Sequence, residues 1–145
     1  MATVATLGNP HRGDDGIGPW IAAKLRAHGI EPVEMEEPTR IVDVDEADLL
    51  VLVDAVISGA PVGSVVVLDV TDRELPGAVT TSSHSVTLGQ ALALRRQVAS
   101  WPSRVVVVGV EIEEIHPEPG LHPETEAAGG LAVDLILGVL HGVAR

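Results

Sequence analysis

A chain of 145 residues has the size of one ordinary domain and is long enough to bury a core without covalent staples. At 46% apolar and 21% charged residues it belongs with folded proteins, not disordered ones. It has no Cys, which excludes disulfides, thiolate metal sites and a Cys nucleophile, and its net charge of −12 repels nucleic acid and anionic membrane surfaces.

The same lack of Cys fits a reducing compartment. No basic start leads into an apolar signal-peptide core, so a cytoplasmic location is expected. No apolar run approaches the length of a membrane span. Phe and Tyr are also absent, and Trp20 and Trp101 are the only aromatic residues. Val, Leu, Ile and Ala must therefore fill the interior, which suits flat layers of β-branched strands against Ala-rich helices.

In chain order, residues 2–7 read as a strand, followed by the Gly-rich turn Gly8-Asn9-Pro10-His11-Arg12-Gly13-Asp14-Asp15-Gly16-Ile17-Gly18. Residues 16–28 read as a helix with Ile17, Ile21 and Leu25 on one stripe and Trp20 beside it; Pro19 is tolerated because it falls in the first turn. A short strand is expected at 32–36 and a helical turn at 41–47. Apolar strands follow at 49–54 and 64–70. The helix expected at 85–99 has Val86, Leu88, Ala91, Leu92 and Val98 as core candidates. A third strongly apolar strand covers 104–111. The last helix, 123–143, should turn Leu131, Leu135, Ile136, Val139 and Leu140 inward.

Continuous apolar strands alternating with helices predict a three-layer α/β/α sandwich around a mainly parallel sheet of about five strands. One connection departs from that pattern. Ala55–Gly63 is rich in Gly and Pro and too short for a parallel crossover, which needs about a dozen residues or more. Strand 64–70 is therefore expected to run antiparallel to 49–54, or to sit apart from it. Segment 71–83 then returns the chain to the rim where strand 49–54 ends. The whole of 1–145 is expected to form a single domain, and a monomer.

Three residues are candidates for chemistry. Asp15 closes the Gly turn, Asp54 ends the run Leu49-Leu50-Val51-Leu52-Val53, and His84 lies in Thr80-Thr81-Ser82-Ser83-His84-Ser85. Each has a plainer explanation. Asp14 or Asp15 could cap the following helix, though one cap needs only one carboxylate. Asp54 could cap a turn. His84, like His11, His28, His116, His122 and His141, could be an ordinary surface residue. The expected topology nonetheless sends Asp15, Asp54 and His84 to one rim, at the carboxyl ends of the strands, where sites of open α/β sheets gather.

Two carboxylates and an imidazole suit Zn²⁺, Ni²⁺, Mn²⁺ or Fe²⁺. An aspartic dyad of Asp15 and Asp54 is a further possibility, and a Ser–His–Asp triad a weaker one, since no Gly-x-Ser-x-Gly elbow exists. The Gly turn is a poor phosphate cradle. It lacks Gly-x-Gly-x-x-Gly and Gly-Lys-Ser/Thr, and its two Asp residues oppose an anion.

On these residues the chain resembles the hydrogenase maturation endopeptidases. Leu7-Gly8-Asn9 through Asp14-Asp15-Gly16-Ile17-Gly18 looks like the family's opening motif, Leu52-Val53-Asp54-Ala55 its second, and Ser83-His84-Ser85-Val86-Thr87-Leu88 its His motif. Val108-Gly109-Val110-Glu111, then Gly120-Leu121-His122-Pro123, looks like the last strand and the entry to the last helix. The resemblance implies an α/β/α domain in which Asp15, Asp54 and His84 hold a metal. The metal would be nickel already installed in the substrate, or another divalent ion such as zinc. It also implies a metal-dependent endopeptidase that removes a C-terminal peptide from the nickel-loaded large-subunit precursor of a nickel-iron hydrogenase.

One region departs from the family pattern. Where members commonly carry a Gly-Gly-Thr turn after the second strand and then a longer helix, this chain has Glu36-Glu37-Pro38-Thr39 and a short stretch to strand 49–54. A non-catalytic metal- or partner-binding module and another metal-assisted amidase are the alternative functions.

Overall fold

A computed structural model describes residues 2–9, 16–45, 48–75, 87–113 and 120–142. Five strands, β1 (Ala2–Leu7), β2 (Val33–Met35), β3 (Leu49–Val56), β4 (Val65–Asp69) and β5 (Arg104–Glu111), form one sheet in the order β2-β1-β3-β5-β4. Helices α1 (Ile17–Ala27), α2 (Leu88–Val98) and α3 (Pro123–Leu140) cover it, together with a 3-10 turn at Pro38–Asp43. The α/β architecture with a mostly parallel sheet is as expected.

The first four strands of that order are parallel, and β4 is antiparallel to β5. The short Ala55–Gly63 link thus does what its length requires. It turns the chain over, and β4 runs opposite to β3 but takes its place beyond β5, with Val65 opposite Val110 and Asp69 opposite Val106.

Alternation along each strand divides the core between two faces. Val4, Val51, Val53, Val106, Val108 and Val110 pack under α1 and α3. Ala5, Leu7, Leu50, Leu52, Val105 and Val107 pack under α2 and the 3-10 turn. Each fully buried Val or Leu is worth about 1.5–3 kcal/mol, so two continuous apolar layers supply the driving force without aromatic residues.

The inward stripe of α1 is Ile17, Ile21 and Leu25, as its spacing predicts. Two helices depart from expectation. In α3 Leu131 is 51% exposed, and the inward residues are Ala128, Ala132, Val133, Ile136 and Val139. The cause is close helix approach: a Cβ on Gly129 would lie 2.7 Å from the Trp20 ring and 2.8 Å from Ile17 Cδ1, so small residues, not the largest ones, face α1. In α2 Val98 is 60% exposed. The inward stripe there is Leu88, Ala91, Leu92 and Arg95. Val86 lies outside the described residues.

Arg95 is only 1% exposed. Its Nη1 donates to the carbonyls of Ile41 (2.7 Å) and Val44 (2.8 Å), and its Nε to that of Ser100 (3.2 Å). The guanidinium thus ties the end of the 3-10 turn to the end of α2 by donating to carbonyls at both. That turn begins at Pro38 rather than at residue 41, because Pro at the first helical position has its φ already set.

Candidate active site

Parallel pairing carries the carboxyl ends of β1, β2, β3 and β5 to one rim. Thr6 is opposite Val53, Leu7 opposite Met35, and Asp54 opposite Gly109. Asp54 therefore stands in the middle of the sheet, two residues before the end of β3, and is 0% exposed. Strand alternation puts its side chain on the face of Leu50 and Leu52, toward α2. A buried carboxylate is costly unless other groups or a cation offset its charge. Its neighbour on β5 carries no side chain: a Cβ on Gly109 would lie 3.0 Å from methyls of both Val56 and Val66.

The other two candidates, Asp15 and His84, lie outside the described residues, as does Asp14. The nearest described residues are Asn9 and Gly16 on either side of Asp15, and Leu75 and Thr87 on either side of His84. Before Asp15, Gly8 donates its N–H to the Met35 carbonyl at 3.1 Å, at the carboxyl ends of β1 and β2. After it, Gly18 lies so close to β1 that a Cβ would be 2.2 Å from the Leu7 carbonyl oxygen. Only Gly can stand there, which gives the Gly-rich turn a packing purpose.

Between β4 and α2 the chain is described as far as Leu75. Arg96 Nη2 donates to the carbonyls of Val70 (2.6 Å) and Arg73 (2.9 Å), and Trp101 Nε1 to that of Thr71 (3.0 Å). These tie the chain after β4 to the end of α2. By Leu75 it has climbed to the helix's first turn, where a Cβ on Gly89 would lie 3.8 Å from Leu75 Cβ. Since the last turn of α2 is tied to the far end of the sheet through Val70, which donates to the Val105 carbonyl, its first turn lies toward the rim of Asp54. Thr87 opens α2 with a reciprocal capping box: its hydroxyl accepts from Gln90 N–H, and Gln90 Oε1 accepts from Thr87 N–H.

Among the described residues no three metal-ligating carboxylate or imidazole side chains come together. Asp54 is the member of the expected trio that lies within them.

A second carboxylate at the rim escaped the sequence reading. Glu111 ends β5 and is 3% exposed. The register sets it opposite Val56, two residues beyond the partner of Asp54 and on the same face. Its Oε2 accepts from Ser58 N–H at 2.9 Å, and its Oε1 from the Ser58 hydroxyl. A carboxylate closing the apolar run 105–110 was the one available signal.

A groove of about 770 Å³ lies along β2 and the 3-10 turn. Glu34, Glu36, Glu37, Asp43 and Asp45 line it. Of these, Glu34 is paired with Arg26 at 2.7 Å, and Asp43 with Arg40 at 3.8 Å. This acidic groove occupies the stretch in which the sequence departs from the family pattern. No described helix is long and apolar enough to cross a membrane.

Comparison with known proteins agrees with this architecture. Residues 33–139 match the HycI family model of hydrogenase maturation proteases. The chain is 30% identical over 148 residues to the hydrogenase 2 maturation protease of Escherichia coli K12, covering 94% of this chain and 88% of that protein. The solved hydrogenase maturating endopeptidase HybD from E. coli superposes with a TM-score of 0.75 at 23% identity, covering 98% of this chain and 93% of the other. The [NiFe] hydrogenase maturation protease HybD from Thermococcus kodakarensis gives a TM-score of 0.71 at 19% identity over 100% and 99% of the two chains. With the strand order, the buried rim carboxylate and these matches in agreement, the chain belongs to the hydrogenase maturation proteases, a family of peptide hydrolases.

Proposed function

We propose that this protein is a metal-dependent endopeptidase that removes a C-terminal peptide from the nickel-loaded large-subunit precursor of a nickel-iron hydrogenase. Asp54, Asp15 and His84 are the residues assigned to the reaction and to the metal. The observation that carries the reading is the burial of Asp54 at the carboxyl rim of a fold whose relatives are maturation proteases.

The donor chemistry fits. Carboxylate oxygens and a neutral imidazole accept a borderline divalent cation, and the Asp54 carboxylate is fully buried on the face of Leu50 and Leu52. Nickel in the precursor belongs to the substrate, and binding it would report that the metal has been installed. When bound, a divalent ion here supplies polarisation of a scissile carbonyl or activation of a water. The chain's own part is to present carboxylate oxygen from Asp54 on β3, with Asp15 and His84 assigned as the remaining oxygen and nitrogen donors. It also offers, through the rim loops, a surface for an extended peptide.

The test is to incubate the purified protein with nickel-loaded and nickel-free precursor and follow the mass of the large subunit. The reading expects cleavage of the loaded form and none of the empty one. Equal cleavage of both, or of neither, contradicts it.

A further inference from the structure

Glu111 takes no part in the trio above, yet it carries a carboxyl group into the buried rim. It also holds both stems of the loop that follows Asp54. At the loop's start, its carboxylate accepts the Ser58 N–H and hydroxyl. At the loop's end, its carbonyl accepts Gly63 N–H at 3.2 Å and its own N–H donates to the Ser64 carbonyl at 2.8 Å. Pro61 closes the turn by accepting from Ser64 N–H (3.1 Å) and from the Ser64 hydroxyl (2.6 Å). Gly59 and Gly63 take positive φ of 89° and 90°, so the loop has a defined bend and not an arbitrary one. Residues 58–61 face solvent beside the rim.

Asp54 needs no such help, because ladders to β1 and β5 hold β3 on both sides. A short loop would also close with apolar contacts alone. A carboxylate carried into the core at this point is a costly way to do so unless the loop's position matters.

We propose that Glu111 is a positioning residue for the cleavage reaction: through Ser58 it fixes loop 57–63 as a wall against which the substrate's peptide chain is laid. The inference rests on the proposed function above. It assigns Glu111 to substrate placement, not to the metal or the bond-breaking step.

The experiment compares Glu111→Ala, Glu111→Gln and Ser58→Ala with the wild type, on cleavage kinetics of nickel-loaded precursor and on amide exchange of residues 58–64. Glu111→Gln keeps both contacts, since its Oε1 can accept the Ser58 N–H and its Nε2 can donate to the hydroxyl. Glu111→Ala should raise KM about tenfold with kcat within about twofold of wild type, the pattern of lost ground-state binding. Its loop amides should exchange about tenfold faster or more. Glu111→Gln should restore both. Ser58→Ala, which keeps the N–H contact, should raise KM a few-fold, and it decides the matter if Glu111→Ala does not fold.

An unchanged KM in Glu111→Ala and Ser58→Ala overturns the proposal, as does a fall in kcat at unchanged KM. So does a Glu111→Gln variant as impaired as Glu111→Ala, which would make charge the operative property. Should the wild type leave the precursor uncut, the cleavage reading fails by itself. The clasp is then judged by exchange: faster loop exchange in Glu111→Ala alone sustains the anchor, and unchanged exchange overturns it.

Discussion

Gly18 shows how a single missing methyl positions the site. Gly→Ala inside a helix ordinarily gains about 1 kcal/mol. Here the new Cβ would meet the Leu7 carbonyl oxygen at 2.2 Å, and a backbone atom cannot swing aside. Gly18→Ala should therefore cost about 1–3 kcal/mol, read as a lower urea midpoint with an unchanged m-value. Arg95 is the polar counterpart. Arg95→Lys retains the charge but cannot span the carbonyls of Ile41, Val44 and Ser100, so it should lose about 1–3 kcal/mol by the same measurement. At the opposite end of the sheet from the site, Asp69 accepts from the Thr71 hydroxyl (2.6 Å) and N–H (3.0 Å) and from Arg104 (3.3 Å). These bonds, Thr71's first, hold its carboxyl below the usual carboxylate range. A depressed carboxyl stabilises the fold fully above its unfolded pKa of about 4, and that stabilisation is lost as pH falls through the folded value. Asp69→Asn should accordingly flatten the acid limb of a stability–pH curve and leave the slope near neutrality unchanged.

Elements were legible in the sequence to different depths, and the reasons are physical. Val and Leu runs at 49–53 and 105–108 are buried on both faces and read as parallel-sheet strands, whereas the equally apolar run at 65–68 forms the half-exposed antiparallel edge strand, with Val67 40% exposed. The length of Ala55–Gly63 gave the reversed direction of β4, though not its place beyond β5, which depends on pairing between residues distant in the chain. Helix faces were harder. Spacing names the largest apolar residues as inward, and that fails for Leu131 and Val98. The true contact surfaces use Gly129, which admits Trp20, and Arg95, which feeds carbonyls of another element. The start of α2 was expected at 85, but the Thr87–Gln90 capping box sets it at Leu88, a local signal that the expected bounds passed over. Thr87→Ala should cost about 1 kcal/mol, measured by thermal or chemical unfolding.

At the scale of the whole molecule, parallel topology gathers into one place what the chain scatters. Asp54 was legible as a carboxylate after a wholly apolar run, although the strand continues to Val56 and buries it fully instead of ending at it. Glu111 was not, because a charge at a strand end looks like the return to solvent. Its burial comes from Ser58, 53 residues earlier in the chain. The layers and strand order are those of the family, and the proposed reaction is placed at the carboxyl rim, where Asp54 and Glu111 are buried. The most direct test of that convergence is cleavage of nickel-loaded large-subunit precursor by Asp54→Asn beside the wild type, with folding of both checked by circular dichroism. Processing by the folded variant should fall by about 100-fold or more. A folded Asp54→Asn protein that trims the precursor at the wild-type rate would contradict the placement of the reaction at this rim.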